Sequence, residues 1–322
     1  MASQQFSQFS QVVLGLYEAA HSKSMEAFQE AALELIKQVL PFDSAMWGSA
    51  TMTDRGIDIH TLYLHNTSMQ MIEAYQGVKH LDHFAQDVAK ANHKTIQFSA
   101  AASRNQALHD FLIKYKHMHG LITQNLNPET QFVQWLSLFR HDAENACSEH
   151  EVMLLDDLFP HVMQSLAINR KLHVEHLVED ERRERWSVAI ADHHGFFYHA
   201  DDAFLELLAK DYAVQQTDRL PEMLRQITAQ LTDQHLGEHT LLESRLEGDL
   251  LFLRIRQRVL ADNLNNREFA IAKMLAEGLT VKDIANKLHR SPDTVRTQSK
   301  TIYKKLGVNK ATQIASLLLQ RD

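Results

Sequence analysis

The chain has 322 residues, of which 44% are hydrophobic and 23% are charged, and its formal net charge is −8. This length predicts two or three domains, and the composition is typical of a protein that buries ordinary hydrophobic cores. No stretch of 18 uncharged apolar residues occurs, and no signal-peptide pattern opens the chain, so we expect a cytoplasmic protein without a membrane segment. A single cysteine, Cys147, excludes an intramolecular disulfide and a cysteine-rich zinc site.

The charge is unevenly distributed along the chain. Residues 261–322 carry seven Lys and four Arg against four Asp and two Glu, a net charge of +5, which leaves −13 for the preceding 260 residues. A basic segment on an acidic body is expected when one module alone meets phosphates. We therefore expect any nucleic-acid contact to be confined to the C-terminal segment.

Hydrophobic periodicity divides residues 1–173 into helices and strands. The predicted helices lie at Phe9–Tyr17, Phe28–Val39, Met69–Val78 and Leu108–Tyr115, and the predicted strands at Ser44–Ala50, Asp58–His65 and Phe132–Arg140. Ser148, with Glu151 three residues later, predicts the start of a final helix, which Pro160 should kink or restart. Helices packed on a short antiparallel sheet make an α+β domain.

Four stretches of this segment resemble the GAF-like N-terminal domains of some LuxR-type regulators: Leu40–Ser49, Tyr63–Asn66, Val78–Phe84 and Ser148–Leu172. The resemblance implies a sensor domain for a small molecule over residues 1–173. Aromatic residues on or beside the predicted sheet are candidates for lining a pocket, or alternatively for filling the core. They are Trp47, Tyr63, Tyr75 and Trp135.

A charged stretch at residues 174–185 predicts a helical connector, and residues 186–259 then form a second sensor-type segment. Here an apolar strand at Ser187–Asp192 is followed by a turn at Gly195, a strand at Phe196–Ala200 and a helix that Asp201 should cap. This order resembles the opening of a PAS domain, although Asp201 stands where Asn is usual. A hairpin is predicted at Leu241–Leu246 and Leu250–Val259. In its second strand Leu251, Leu253 and Ile255 alternate with Phe252, Arg254 and Arg256, and this alternation predicts that one face of the strand is buried.

Residues 260–322 carry clear helix boundaries. Asn265 or Asn266 should cap a first helix that ends at Gly278, and Thr280 with Asp283 forms a capping-box pattern for a second. The run Ser291-Pro292-Asp293 is a strong start for a third helix, which should stop at Gly307. Asn309 should cap a fourth helix. The segment is predicted to be an all-α, four-helix domain.

The third helix of this domain carries a cationic stripe. Arg296, Lys300 and Lys304 recur at every fourth position, with Thr297 and Thr301 beside them. A solvated charged face is the plain alternative, but the caps, the turn length and the stripe together favour a recognition helix that lies in a DNA major groove.

Leu264 to Val308 resembles the LuxR-type helix-turn-helix signature along its whole length, apart from Asn266 at a usual Pro and Gln298 at a common His. The resemblance implies base contacts from Arg296, Thr297 and Lys300. It implies phosphate contacts from Lys282, Ser291, Thr294 and Lys304.

These patterns predict a sequence-specific DNA-binding transcription regulator, by resemblance an activator. We expect a homodimer on an inverted-repeat operator in double-stranded DNA, with RNA polymerase as a further candidate partner. The front half is predicted to sense a small, largely apolar effector. In the alternative, it is a dimerisation and protein-partner platform without a ligand.

An enzyme is not expected. The chain lacks a Gly-rich phosphate loop, a G-x-S-x-G motif and an H-E-x-x-H motif. Its 20 histidines include the pairs His80/His83, His117/His119 and His193/His194, but none has Cys or carboxylate partners at a metal-ligand spacing. No catalytic residue, cofactor or metal is therefore predicted.

Overall fold

The computed structural model describes residues 2–53, 56–91, 94–177, 185–213, 218–228 and 234–321. Contacts divide the chain into two compact units. One comprises Met1–Leu177, Ile190–His199 and Leu246–Leu251, and the other comprises Val178–Ala189, Ala200–Arg245 and Phe252–Asp322. In the described residues, no helix is both long and apolar enough to cross a bilayer.

The first unit is organised around a five-stranded antiparallel sheet. Its strands are β1 (Ser44–Thr53), β2 (Gly56–His65), β3 (Ile96–Ser99), β4 (His119–Leu126) and β5 (Phe132–Arg140), in the order β2-β1-β5-β4-β3. The strands predicted at β1, β2 and β5 are confirmed. β3 and β4 were not predicted, because β3 is short and β4 carries Gly120 and four polar side chains among its eight residues.

Helices cover both faces of this sheet. One face packs on α1 (Ala2–Ser22), α2 (Met25–Ile36) and α6 (Glu149–Leu177), and the other on α3 (Met69–Tyr75), α4 (His83–Ala91) and α5 (Gln106–Lys114). The first core includes Leu16, Phe28, Leu33, Trp47, Leu136, Leu138, Leu155 and Leu158, and the second includes Met71, Phe84, Phe98, Leu108, Phe111 and Phe139. Each fully buried side chain of this size contributes roughly 1.5–3 kcal/mol, so both helical layers are firmly attached.

The helix α6 begins as expected but does not restart at Pro160. Ser148 and Glu151 form the expected reciprocal cap, with the Ser148 N–H 2.8 Å from a Glu151 carboxylate oxygen. The helix then continues through Pro160 to Leu177. Proline removes one backbone donor, but Phe159 and Val162 beside it are buried in the core, and this burial keeps the segment helical.

A second five-stranded sheet follows. Its elements are β6 (Ser187–Asp192), β7 (Phe197–Ala200), α7 (Asp202–Asp211), α8 (Glu222–Thr228), β8 (Gln234–Leu236), β9 (Thr240–Glu247) and β10 (Leu250–Gln257), with strand order β7-β6-β10-β9-β8. The hairpin of β9 and β10 turns at Gly248, whose φ of 58° suits glycine. Most of the predicted connector, residues 178–184, lies outside the described residues.

Two expectations for this sheet are corrected. Asp201 stands at the N-cap of α7 but makes no side-chain cap bond, because its carboxylate accepts the Val188 N–H at 3.1 Å instead. β10 is buried on both faces, since Phe252 and Arg256 are as inaccessible as their neighbours. Arg256 can be buried because its guanidinium binds the Asp262 carboxylate at 2.6 Å.

The C-terminal domain consists of α9 (Asn266–Ala276), α10 (Val281–Lys287), α11 (Pro292–Leu306) and α12 (Thr312–Arg321). The predicted caps of the first three helices are confirmed at Asn265, Thr280 and Ser291, whereas α12 begins at Thr312, later than a cap at Asn309 would place it. Its core contains Ile271, Ala272, Leu275, Ile284, Val295, Ile302, Leu306, Ile314 and Leu318.

Candidate nucleic-acid interface and ligand cavity

Both ends of α11 are fixed by local chemistry. The Ser291 hydroxyl oxygen accepts the Thr294 N–H at 3.1 Å, and Pro292 occupies the first turn, where its missing N–H has no helical partner to lose. At the other end, Gly307 adopts the left-handed conformation with a φ of 66°. These caps hold the exposed face of α11 in one position.

The two sides of α11 differ sharply in exposure. Val295, Ile302 and Leu306 are buried in the domain core. The opposite side exposes the cationic stripe and its neighbouring hydroxyls: Arg296, Thr297, Lys300, Thr301 and Lys304. The three cations follow one another at i, i+4 and i+8, so they lie along one line of the helix surface.

The residues expected to contact bases are accessible. Arg296 pairs with the Asp293 carboxylate at 2.5 Å, but both side chains are largely exposed, so the pair is weak and its guanidinium can turn to another acceptor. The Thr297 hydroxyl donates to the Asp293 carbonyl at 3.0 Å, which leaves its methyl group directed away from that bond. Lys300 is exposed on the same face.

The residues expected to contact phosphates flank this face. Ser291 and Thr294 lie at the start of α11, where their hydroxyl oxygens are 2.8 Å apart, Lys282 is exposed on α10, and Lys304 is exposed near the end of α11. A helix N-terminus with adjacent hydroxyls is suited to binding a phosphate.

One lysine of α11 has a structural role instead. The Lys305 ammonium donates to the Glu268 carboxylate at 2.6 Å and so ties α11 to α9. Burial raises the pKa of Glu268, but the hydrogen bonds from Lys305 and from the Asn265 N–H outweigh it and lower the pKa overall. Lys305 is thus occupied within the domain.

Residues 262–318 match the model of the family described as bacterial regulatory proteins, luxR family. The C-terminal domain is a LuxR-type helix-turn-helix. The match covers α9, α10, α11 and the part of α12 up to residue 318, and it leaves the residues before 262 outside it.

Curated relatives are similar over part of their length. The transcriptional regulatory protein YdfI of Bacillus subtilis is 29% identical over 117 residues, which are 36% of this chain and 54% of YdfI. The uncharacterized response regulatory protein YgeK of Escherichia coli is 40% identical over 68 residues, which are 21% of this chain and 46% of YgeK. The chain thus spans about half the length of the curated relatives it matches.

Solved structures of low identity also align. Escherichia coli SdiA is 17% identical with a TM-score of 0.41, covering 97% of this chain and 95% of SdiA. The N-acylhomoserine-lactone-dependent LuxR-family factor CepR2 of Burkholderia cenocepacia is 14% identical with a TM-score of 0.40, covering 52% of this chain and 98% of CepR2.

A cavity of about 90 Å³ lies in the first unit, between the first sheet and the helices α3, α4 and α5. Its walls are mainly apolar and aromatic, and include Met46, Ile59, Leu62, Met71, Phe84, Val88, Phe98, Phe111, Ile122 and Phe139. Pockets of this kind, with few polar groups, are the usual sites for small molecules. The volume suits a small molecule.

Two of the four aromatic residues proposed for a pocket line this cavity, and two do not. Tyr75 and Trp135 contribute to its walls. Trp47 lies on the opposite face of the sheet, in the core with Phe28, because successive residues of a strand point to opposite faces. Tyr63 also packs against that opposite core, and its hydroxyl donates to Glu30.

Polar groups are sparse in the cavity, and two of them lack partners. The Nε2 atoms of His117 and Gln124 are buried, with no hydrogen-bond partner among the described residues. His117 stacks on Phe139 at 3.8 Å between ring centroids, and burial, with a smaller effect of His141, lowers its pKa to about 3. A buried polar atom without a hydrogen-bond partner is energetically unfavourable. A ligand with hydrogen-bonding groups opposite these two atoms would therefore fit the cavity best.

A third polar feature of the cavity is already satisfied. The Tyr75 hydroxyl donates to the Asp82 carboxylate at 2.8 Å, and burial raises the pKa of Asp82. Neither His117 nor Gln124 could be identified as unpartnered from the sequence, because that property depends on what packs around them. Gln124 lies on a side of β4 whose other residues are apolar. This is the one local feature of the sequence that points to Gln124.

The fold also gathers histidines that are distant in sequence. Donor atoms of Asp58, His60 and His194 lie within 4.8 Å of one another. The rings of His60 and His194 stack at 4.0 Å with 27° between their planes, however, and a coordinated ion lies near the plane of each ligating ring. One ion cannot lie in the plane of both rings in this arrangement. His60, the buried member of the cluster, places its Nδ1 2.8 Å from the Asp192 carboxylate.

Proposed function

We propose that this chain is a sequence-specific DNA-binding transcription regulator rather than an enzyme. The observation that carries the proposal is the exposed stripe of Arg296, Lys300 and Lys304 on a helix whose two ends are capped and whose other side is buried. The net charge of +5 in residues 261–322, against −13 in the remainder, supports it. Such a helix fits the major groove of double-stranded DNA.

The proposed contacts follow from groove chemistry. Arg296 and Lys300 donate to guanine O6 and N7, and the Thr297 methyl group packs on a thymine methyl. Each good contact of this kind contributes roughly 1–3 kcal/mol of discrimination against the wrong base. Lys282, Ser291, Thr294 and Lys304 bind phosphates and set the register without reading sequence.

We extend the proposal to a homodimer on an inverted repeat. A single small module buries too little surface for tight specific binding, and two modules related by a two-fold axis read half-sites about one helical turn apart. Leu319 supports α12 as the dimer contact, since 69% of this apolar residue is exposed. The LuxR-type domain further implies activation through RNA polymerase, which a reporter fusion to the operator would test.

The experiment is a gel-shift titration of the full chain on duplexes selected from a random library. Lys300→Ala is expected to weaken the selected duplex more than random duplexes, by the loss of a base contact. Lys282→Ala is expected to weaken both equally and to reduce the salt dependence by about one counterion. Lys310→Ala, which removes an exposed charge outside the stripe, is the matched control. Unchanged affinity and preference in Lys300→Ala would exclude base readout by α11.

We propose that the cavity of the first unit binds a small, largely apolar effector whose binding shifts the DNA-competent population. The apolar walls and the unpartnered Nε2 atoms of His117 and Gln124 support a ligand with an apolar body and hydrogen-bonding groups. The alternative is a ligand-free platform for dimerisation and protein partners.

Thermal-shift screening separates these two proposals. We expect small aromatic and aliphatic compounds with one or two polar groups to raise the unfolding temperature of the full chain. We expect Ser137→Leu, which places an apolar side chain into the cavity, to abolish that response. If no compound stabilises the wild type while DNA binding persists, the ligand-free platform is the better account.

A further inference from the structure

A buried arginine outside the sites described so far forms no ion pair among the described residues. Arg170, on α6, is 7% exposed, and its Nε has no hydrogen-bond partner. Among the described residues, no carboxylate forms an ion pair with its guanidinium, although the charge of the buried Asp192 favours the charged form of Arg170 from farther away. A buried charge is normally paired, because removing it from water without a partner is strongly unfavourable.

The guanidinium is held by stacking. Its central carbon lies 4.3 Å from the ring centre of Tyr198, and the Tyr198 hydroxyl is itself anchored by hydrogen bonds to Ser49 and Asp192. Burial raises the pKa of Tyr198 to about 12, so its hydroxyl stays protonated. Stacking uses the flat face of the guanidinium and leaves its N–H groups, which point outward in its plane, available.

Arg170 borders two clefts of different charge. The first, of about 280 Å³, is also lined by the carboxylate residues Glu26, Glu247 and Asp249. The second, which we call the α6 cleft, has a volume of about 360 Å³ and is lined by Arg170, the amides Asn125, Gln134 and Gln164, and one carboxylate, Asp156. Asp156 already accepts the Thr95 N–H at 2.5 Å.

The charges decide which cleft suits an anion. Three carboxylates repel an anion from the first cleft, whereas the α6 cleft has a single carboxylate, Asp156, and there Arg170 and three neutral amide groups can donate to an anion. Apolar side chains of α6, among them Phe159 and Met163, complete the wall of this cleft. A planar carboxylate on an apolar body matches a guanidinium edge that can donate two parallel hydrogen bonds.

We propose that the α6 cleft binds a small organic carboxylate whose carboxylate group pairs with Arg170. This site is separate from the apolar cavity, so it gives the chain a second class of ligand. Because α6 also supplies one helical layer of the first unit, an anion bound here stabilises the half of that helix that carries Arg170.

The test uses the full chain with sodium benzoate, and with benzamide as the uncharged control of the same shape, at constant ionic strength in chloride. Benzoate is expected to raise the unfolding temperature in a saturable manner and benzamide to leave it unchanged. Arg170→Met is expected to weaken benzoate binding at least tenfold, and Arg170→Lys to weaken it less. Arg104→Met, at an exposed arginine, is expected to bind as the wild type does.

Two further measurements, the stability of Arg170→Met and the Nε–H resonance of Arg170, test the proposal independently of benzoate affinity. In chloride alone, Arg170→Met is expected to be more stable than the wild type, because it removes a buried charge that forms no ion pair. If that variant does not fold, the Nε–H resonance of Arg170 in the wild type should shift on addition of benzoate. Equal effects of benzoate and benzamide, benzoate binding by Arg170→Met, or an unmoved Arg170 resonance would each overturn the assignment, and none of them bears on DNA binding by α11.

Discussion

The candidate base-reading residues lie on a single helix, α11, whereas the candidate ligand cavity is assembled from elements between Met46 on β1 and Phe139 on β5. On α11 the functional side chains are exposed, and the residues that stabilise the helix lie on its other side. In the cavity, the same side chains form both the core and the site. Substitutions can therefore separate function from stability on α11, but they change both together in the cavity.

The largest effect should come from the buried side of α11. Ile302 is fully buried in the C-terminal core. Ile302→Ala is expected to destabilise the domain by about 2–5 kcal/mol, because it removes buried methyl groups and leaves a cavity. Chemical denaturation measures this loss. Lys300→Ala, one half-turn away on the exposed side, should change stability by less than about 0.5 kcal/mol, and similar losses in both variants would contradict the two-sided description of α11.

The pH dependence of stability should reveal His117. The pKa of His117 is about 3 in the folded chain, below its ordinary value of 6.5. As the pH falls, His117 therefore binds a proton at a higher pH in the unfolded chain than in the folded chain. The folded state is thus fully favoured above about pH 6.5 and loses stability as the pH falls from there towards 3. The loss at pH 5 is about 2 kcal/mol.

Unfolding in urea between pH 7.5 and pH 5 measures this loss, and His117→Phe, which keeps the stacking on Phe139, is the control. The variant is expected to lose the part of the pH dependence that His117 contributes. An unchanged pH profile would mean that His117 is accessible to water in the folded chain.

A smaller effect, of opposite sign, is expected at Gln124. Gln124→Met removes an unpartnered buried amide while keeping the side-chain length, so it should stabilise the chain by about 1 kcal/mol. The same variant should respond less to polar-substituted effectors than the wild type does. Thermal unfolding with and without the compounds found by screening measures both. A destabilised variant would indicate that water or another group already satisfies this amide.

The sequence was sufficient for α11 because its signals are local. Ser291 and Pro292 mark the start of the helix and Gly307 marks its end, so both boundaries can be identified from adjacent residues. The cationic stripe is visible from residue spacing alone. The strands β1, β2 and β5 were likewise predictable from apolar runs, as was the α+β class of the first unit.

The cavity was only partly predictable because it depends on register. Trp47 and Trp135 look alike in sequence, yet strand pairing sends them to opposite faces of one sheet, and an irregularity in pairing between Ser49 and Ala50 shifts the match of β1 with β2. Arg170 resembles a solvated residue in a charged helical stretch. Its burial becomes evident only when Tyr198, on a later strand, packs against it.

The most direct measurement of the central claim is a base-by-base specificity profile of the full chain. Each position of a selected duplex is substituted in turn, and competition binding is measured for the wild type and for Lys300→Ala. If α11 reads bases, the wild type should prefer a symmetric inverted repeat, and the variant should lose discrimination at one guanine per half-site while keeping it elsewhere. A variant profile that matches the wild type at every position would contradict the account.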